Sequence, residues 1–311
     1  MAQLVHLKDV KRDTNSVLTV GTFDGVHAGH RVLIDVVREE ANERNAKSVI
    51  ITFDPHPREI ITPGEGGIKL LTTLPERREI LEELGIDVLL VIPFDRDFSL
   101  LSAEEFIRDI IYKKVGVSEF VIGYDHHFGR DREGTIDTLK ELGAELDFEA
   151  RVVSKQEIGE ETVSSTAIRN IISEEGDMQK AAQMLQRPYR LNGLVVHGDK
   201  RGRKLGYPTA NIKPQDPRKV VPKNGIYAAR IRVNEQWHGA VMSIGVRPMF
   251  DGDSRIIEAH IFNFDKSIYA QPVQLRFLKR LRDEKKFDTI DDLVAQMDDD
   301  KKQAAKILKN T

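Results

Sequence analysis

Ser16-Val-Leu-Thr-Val-Gly21-Thr-Phe-Asp24-Gly25-Val-His27-Ala-Gly29-His30 decides how this chain is read. A short apolar run rich in β-branched residues breaks at Gly21 and again at Asp24-Gly25. An amphipathic segment over 30–46 follows, with Val32, Leu33, Val36 and Val37 on one face. Strand, tight turn and helix in that order open a parallel α/β sheet. The helix should begin where His27 and His30 stand three residues apart. A helix N-terminus carries unpaired N–H groups and the positive end of the dipole, so it attracts phosphate. Gly25 and Gly29 let the backbone come close to a ligand, and two imidazoles at this spacing can face one anion. A lone H-x-x-H more often means helix capping or metal binding; the strand and Gly-x-Phe-Asp-Gly before it turn the balance toward an anion site.

The chain has 311 residues, 40% hydrophobic and 31% charged, which predicts one large or two ordinary globular domains. Cysteine is absent, so disulfides and thiolate metal sites are excluded, in keeping with a reducing cytoplasm. The opening Met-Ala-Gln-Leu-Val-His-Leu-Lys has no apolar leader, and no run reaches membrane-spanning length, so a cytoplasmic protein without a membrane partner is expected. The net charge of −3 hides an asymmetry: 25 Lys+Arg stand against 15 Asp+Glu from Arg187 onward, and 22 against 35 before it. A basic C-terminal part suits small phosphate ligands as well as nucleic acid. Neither an aromatic RNA-binding motif nor a recognition helix accompanies it, so nucleic acid ranks well behind.

Apolar runs over 48–53, 88–93, 119–123 and 148–153 read as further strands, and segments over 74–84 and 135–142 as helices. Ser102-Ala-Glu-Glu105 opens another helix with a capping-box pattern. Asp54-Pro55-His56-Pro57 holds a loop in which two prolines stop any helix. This alternation predicts a Rossmann-like doubly wound parallel sheet, with ligands beyond the carboxyl ends of the strands. The loops 21–30, 54–57 and 123–130 converge there. Val163-Ser164-Ser165-Thr166-Ala167-Ile168-Arg169 comes next, its hydroxyls preceding a helix with Ile168, Ile171 and Ile172. One serine is explained as an N-cap; Arg169, a turn further on, reaches the anion that hydroxyls and amides would hold.

After a short helix over 177–185, Arg187-Pro188 marks the expected boundary between domains 1–186 and 187–311. Short strand-like runs over 191–196, 226–233, 237–244, 256–262 and 272–277 then predict a small antiparallel β-barrel, with the segment 289–309 as one helix or two packed on it. Asp298-Asp-Asp300 reads as a solvated helix turn or N-cap rather than a metal cluster. Within the barrel, Gly198-Asp-Lys-Arg-Gly202-Arg-Lys204-Leu-Gly206-Tyr-Pro-Thr209-Ala-Asn211 is a glycine-rich cationic loop suited to phosphate, without the G-K-[ST] close of a Walker A motif.

The first stretch resembles the G-x-F-D-G-x-H-x-G-H signature of HIGH-motif nucleotidyltransferases. Ser164 to Arg169 is similar to the S-S-T-x-I-R motif of flavin adenylyltransferases, and Gly202 to Asn211 to the riboflavin kinase signature ending in G-[FY]-P-T-A-N. Asn224-Gly-Ile-Tyr-Ala228, Ile257-Glu258-Ala-His-Ile-Phe-Asn-Phe264 and Leu281-Arg282-Asp-Glu284-Lys-Lys-Phe287 follow in family order. The whole chain thus resembles the prokaryotic bifunctional riboflavin kinase/FAD synthetase family. That resemblance implies phosphorylation of riboflavin by ATP in the C-terminal domain, then adenylylation of FMN to FAD in the N-terminal one. It assigns His27 and His30 to charge on the attacked α-phosphate, with Gly21, Phe23, Gly25, Gly29, Ser164, Ser165, Thr166 and Arg169 around the nucleotide. In the barrel it implies Gly198, Lys204 and Gly206 at ATP, Thr209 and Asn211 at Mg²⁺ and phosphates, and Glu258 as the acceptor of the riboflavin hydroxyl proton. Asp125, Phe128 and Arg282 fall at flavin positions, although Phe128 serves core packing equally well. The chain departs from the family at Thr22, at Ser243 and Met249, and at Lys266-Ser267, the later ones bearing on the kinase flavin pocket. Two other readings stand beside this one: an adenylyltransferase whose barrel only binds flavin, and a nucleic-acid-binding barrel. Oligomeric state is not legible in the sequence.

Overall fold

Six strands of the N-terminal half lie side by side: β1 (Gln3–His6), β2 (Ser16–Val20), β3 (Lys47–Asp54), β4 (Val88–Pro93), β5 (Glu119–Gly123) and β6 (Glu149–Val153). Their order is β1-β4-β3-β2-β5-β6, and every pairing is parallel. The computed structural model describes residues 2–62, 67–124, 127–153, 157–158, 161–198, 206–249 and 252–309. Side chains alternate across this sheet into two cores. Leu18, Ile51, Leu90 and Phe120 join one; Val17, Ile50, Leu89 and Val121 join the other. With both faces covered, the strands read as unbroken apolar runs. The doubly wound parallel sheet expected from the alternation is therefore present. β1 has no counterpart among the strands expected from the sequence, because this edge strand is mostly exposed and lacks an apolar run.

The helix after β2 spans Ala28–Glu43 and buries Ile34, Val37 and Ala41, so its inner stripe is centred on Ile34, with Leu33 and Val36 flanking it. Val20 ends β2 with β3 on one side and β5 on the other, so residues 21–30 leave the sheet at its topological switch point. The capping box at Ser102 is formed: its hydroxyl accepts from Glu105 N–H and its own N–H donates to the Glu105 carboxylate, at 3.1 and 2.8 Å. The loop expected at Asp54-Pro55-His56-Pro57 instead opens a five-residue helix, Pro57–Ile61. Proline at a first helical position removes an N–H that has no partner there anyway, and His56 caps the turn.

The chain forms two compact units, Met1–Ser164 and Ser165–Thr311. A two-stranded ribbon, β7 (Glu157–Ile158) and β8 (Glu161–Thr162), closes the first. The second begins with the helix Ser165–Asn170, continues through a π-helical turn, and adds the helix Met178–Leu185. These helices precede the division at 186/187 read from the sequence, and the last of them packs on barrel strands.

The barrel is closed and antiparallel, in the order β10-β13-β12-β11-β14-β9. Its strands are β9 (Tyr189–Val196), β10 (Ala210–Pro214), β11 (Gly225–Val233), β12 (Gln236–Met249), β13 (Gly252–Ile261) and β14 (Pro272–Arg282). Tyr227, Ile231, Met242, Ile244, Ile257, Ala259, Leu275 and Phe277 fill the interior. β10 begins within the glycine-rich stretch, where the sequence predicts only a loop. One helix, Ile290–Lys309, follows β14 and packs on β11, β12 and β14.

Candidate active sites

In the first unit, the loop after β2 turns through left-handed backbone at Phe23, Gly25 and Val26, with φ of 46°, 89° and 42°. Two non-glycine residues are held in that region by the groups around them. The fully buried Asp24 carboxylate accepts hydrogen bonds from the backbone N–H of Leu71 and Thr72 at 3.0 and 2.9 Å, with Arg77 3.7 Å away. Thr72 Oγ1 accepts the Gly25 N–H at 2.9 Å. Arg77 donates to Thr52 Oγ1 at 2.7 Å, and Thr52 donates to the Thr22 carbonyl at 2.9 Å. Sequence reasoning passed over this buried network, whose hydrogen bonds join residues 25 to 48 positions apart; the Asp-Gly turn was its one local sign.

The network delivers His27 and His30 to the start of the helix. His27 is the N-cap, its Nδ1 accepting the His30 backbone N–H at 3.4 Å. An accepting Nδ1 leaves the neutral ring's proton on Nε2. The rings stack, centroids 3.6 Å apart and planes within 18°, and the Phe23 ring meets His30 edge-on at 5.1 Å. The Phe23 ring also lies over Gly21: a Cβ there would come within 3.1 Å of it. Gly29 sits in the first helical turn, where an added Cβ would meet the His27 ring at 3.5 Å, an ordinary contact distance. The structure thus brings together Gly21, Phe23, Gly25, His27, Gly29 and His30. Phe128 is only 6% exposed and belongs to the core beside Phe106. Asp125 lies outside the described residues.

Ser164 ends the first unit, and Ser165 and Thr166 open the helix of the second. Arg169 turns back along that helix, its Nη1 donating to Thr166 Oγ1 at 3.5 Å. Ile168, Ile171 and Ile172 are buried, as their spacing predicts.

The barrel carries a cavity of about 270 Å³, lined by barrel strands, the segment after β14 and the C-terminal helix. Thr209, Glu258 and Arg282 line it, joined by Tyr207, Ser243 and His260. Strand register explains the grouping: Glu258 pairs with Asn211 on one side and Ser243 on the other. Directly opposed residues of antiparallel strands share a face, so these three side chains form one cross-strand row. Asn211 is nearly buried, and its amide occupies the space at Gly198: a Cβ there would lie 2.1 Å from Asn211 Nδ2. That close approach accounts for Gly198. Gly206 takes φ of +79° as the chain turns into Tyr-Pro-Thr. Lys204 lies outside the described residues. Lys266 and Ser267 are exposed.

The Thr209 hydroxyl and the Asn211 carboxamide are neutral, hard oxygen donors beside a carboxylate, and they fit a small divalent cation that keeps waters and phosphate oxygens as its other ligands. Among the described residues no group of three or more His, Asp or Glu is placed to hold a metal alone.

Two residues of Asp298-Asp-Asp300 correct the expectation of a solvated turn. The buried Asp300 accepts a bidentate bond from Arg282, Nε at 2.8 Å and Nη2 at 2.6 Å, and Asp298 accepts the Tyr207 hydroxyl. Burial and the hydrogen bond to Asp298 push the Tyr207 hydroxyl pKa up to about 12. A run of acids looks solvated in sequence, because the arginine and tyrosine that take it up lie on distant segments.

Residues 9–167 match the family described as FAD synthetase, and residues 185–308 the family described as riboflavin kinase. Relatives named bifunctional riboflavin kinase/FMN adenylyltransferase include one from Listeria monocytogenes, 36% identical over 93% of this chain and 91% of that protein. Others come from Escherichia coli, 35% identical over 90% and 89%, and Bacillus subtilis, 33% identical over 96% and 95%. A crystal structure of a Streptococcus pneumoniae protein named as a macrolide-efflux protein is 32% identical, with a TM-score of 0.89 over 97% of this chain and 98% of that one. Among the described residues of the present chain, no helix is long and apolar enough to cross a membrane. With both family matches in one chain, and relatives aligned along nearly its full length, the chain belongs to the bifunctional riboflavin kinase/FMN adenylyltransferase family.

Proposed function

We propose that this chain converts riboflavin to FMN in its barrel and FMN to FAD through its N-terminal sheet, using one ATP at each step. The observation that carries the reading is the cross-strand row Asn211–Glu258–Ser243, of which Glu258 and Ser243 line the barrel cavity with Thr209. It joins a carboxylate to oxygen donors in a space open to a substrate.

In the first step, the 5′-hydroxyl oxygen of riboflavin attacks the γ-phosphorus of ATP, Glu258 accepts the hydroxyl proton, and ADP leaves. An alcohol nucleophile benefits from such a base, and phosphoryl transfer needs charge neutralised on the moving group. Thr209 and Asn211 hold Mg²⁺, which supplies that neutralisation when bound. By the family resemblance Gly198, Lys204 and Gly206 bind the phosphates, and Arg282, anchored by Asp300, binds the flavin.

In the second step, a phosphate oxygen of FMN attacks the α-phosphorus of ATP and pyrophosphate leaves. This nucleophile arrives ionised, so the site needs positioning and charge stabilisation, not a base. His27 and His30 supply N–H donors, and Ser164, Ser165, Thr166 and Arg169 bind nucleotide phosphates. Gly21, Phe23, Gly25 and Gly29 shape the nucleotide loop. The family resemblance assigns Asp125 and Phe128 to the flavin; Phe128 is buried and packs beside Phe106. The kinase chemistry belongs to residues after Arg187. The surplus of positive charge there serves nucleotide phosphates, not nucleic acid, and the protein works in the cytoplasm, where ATP is available.

Chromatography of riboflavin incubated with the protein and Mg·ATP tests the scheme. FMN with ADP, then FAD with pyrophosphate, is the expected sequence. FAD from added FMN, without ADP from riboflavin, would reduce the barrel to a flavin-binding module.

A further inference from the structure

His260 was not singled out by the sequence, yet it lines the barrel cavity with Glu258, two residues before it on β13. The alternate residues Ile257, Ala259 and Ile261 are buried. Glu258 and His260 therefore stand on the same face, about 7 Å apart along the strand. The ladder between β10 and β13 pairs Asn211 with Glu258 and Ala210 with Ala259. Continued by one residue, this register sets Thr209 opposite His260, but β10 begins only at Ala210. At that point a side chain takes over from the ladder. His260 Nδ1 lies 3.1 Å from the Pro208 carbonyl oxygen. A carbonyl only accepts, so Nδ1 is the protonated nitrogen.

We infer that His260 is a positioning residue for phosphoryl transfer: its Nδ1–H clasps the Pro208 carbonyl and so fixes Thr209, the next residue, against the strand that carries Glu258. The inference rests on the kinase reading above, since it acts through Thr209 and Glu258. Surrounding contacts fit a fixed ring. The Tyr207 ring packs against the imidazole at 5.0 Å between centroids, and Phe262 at 6.1 Å. Nε2 is buried without a hydrogen-bond partner among the described residues. A ring present only to fill space would be better replaced by an apolar one, because an unsatisfied buried nitrogen is unfavourable. Burial, aided by the charge of Lys301 and opposed by the bond to Pro208, lowers the imidazole's pKa from its ordinary value. The ring is then neutral at pH 7, and the clasp is made by the Nδ1–H tautomer.

The test uses the whole chain and three variants: His260→Leu, His260→Asn and His260→Gln. An asparagine amide nitrogen falls near the Nδ1 position, whereas that of glutamine falls near Nε2. FMN formation is measured with Mg·ATP varied at saturating riboflavin, and FAD formation from added FMN reports on the other site. His260→Leu should lower kcat for FMN about 10- to 100-fold and raise the KM for Mg·ATP, since misplacing a reacting group by about 1 Å costs up to about 10²-fold. His260→Asn should recover most of the loss and His260→Gln little of it. FAD formation should hold throughout. Wild-type FMN rates in His260→Leu, or equal rates in the Asn and Gln variants, would overturn the proposal. The second comparison decides the matter even if the Leu variant does not fold. Failure of the wild-type protein to make FMN from riboflavin would be a different result, removing the kinase reading and this proposal with it.

Discussion

Glu258 and His27 show how one residue admits two readings until its neighbours are known. A glutamate on a barrel strand is ordinarily solvated; this one faces Asn211 and Ser243 across the sheet and lines a cavity. Glu258→Gln keeps the shape and one acceptor oxygen but removes the basicity. FMN formation should drop by about 10²–10⁴-fold while FAD formation from added FMN persists. An assay of both half-reactions on the same folded variant checks this. His27 is a helix cap as well as the proposed donor. His27→Ala therefore mixes the loss of a cap, about 1 kcal/mol, with the loss of a donor to developing phosphate charge. His27→Asn separates them, because asparagine is a good N-cap. Stability should stay near wild type, yet FAD formation should still fall by about 10²–10³-fold, as should that of His30→Ala. Thermal unfolding run beside the adenylyl-transfer assay distinguishes the contributions.

At the level of elements, the C-terminal helix is tied to the barrel by polar bonds as well as packing. Asp300 is buried mid-helix and holds Arg282 at the end of β14, while Gln296, one turn earlier, donates to the same carboxylate at 3.2 Å. Removing one member of a buried pair leaves the other uncompensated, at a typical cost of about 3–5 kcal/mol. Arg282 keeps some solvent contact, so the low end applies. Asp300→Ala should thus destabilise the second unit by about 3 kcal/mol and weaken riboflavin binding. Limited proteolysis should show the helix cut first, and FAD formation from FMN should change little. An unchanged proteolytic pattern would mean that apolar packing alone holds the helix. The sequence revealed the apolar repeat of this helix, but not the partner of Asp300, which lies 18 positions away on another element.

For the whole molecule, the question is where it comes apart. Arg187-Pro188 marks the change from α/β alternation to short strands, whereas the compact units divide between Ser164 and Ser165. Met178, Met184 and Leu185 are buried in the helix just before the barrel, which packs on β9 and β14. Every proposed kinase residue follows Arg187, so residues 187–311 should make FMN and no FAD. Residues 165–311 should do the same and unfold at a higher temperature, because the apolar face of that helix stays covered. Each buried side chain of this kind contributes roughly 1.5–3 kcal/mol. Matching melting curves for the two fragments would show that the helix adds nothing to the barrel.

What the sequence determined alone was whatever depends on neighbours along the chain. Strand, turn and helix around Gly21 to His30 follow from local periodicity and turn chemistry, as do the parallel sheet and the presence of a barrel. Contiguous motifs likewise singled out His27, Thr209 and Glu258 as candidate site residues. The exposed strand β1 escaped because an edge strand needs no apolar run, and β10 because it is a short strand following a glycine-rich loop. Tertiary structure alone decided that Asp24 sits in a buried network with Thr72 and Arg77, that Asp300 is paired with Arg282, and that His260 reaches Pro208. Each of these is a polar contact between residues distant in sequence. Such contacts are set by strand register and by the exclusion of water, and a linear chain displays neither.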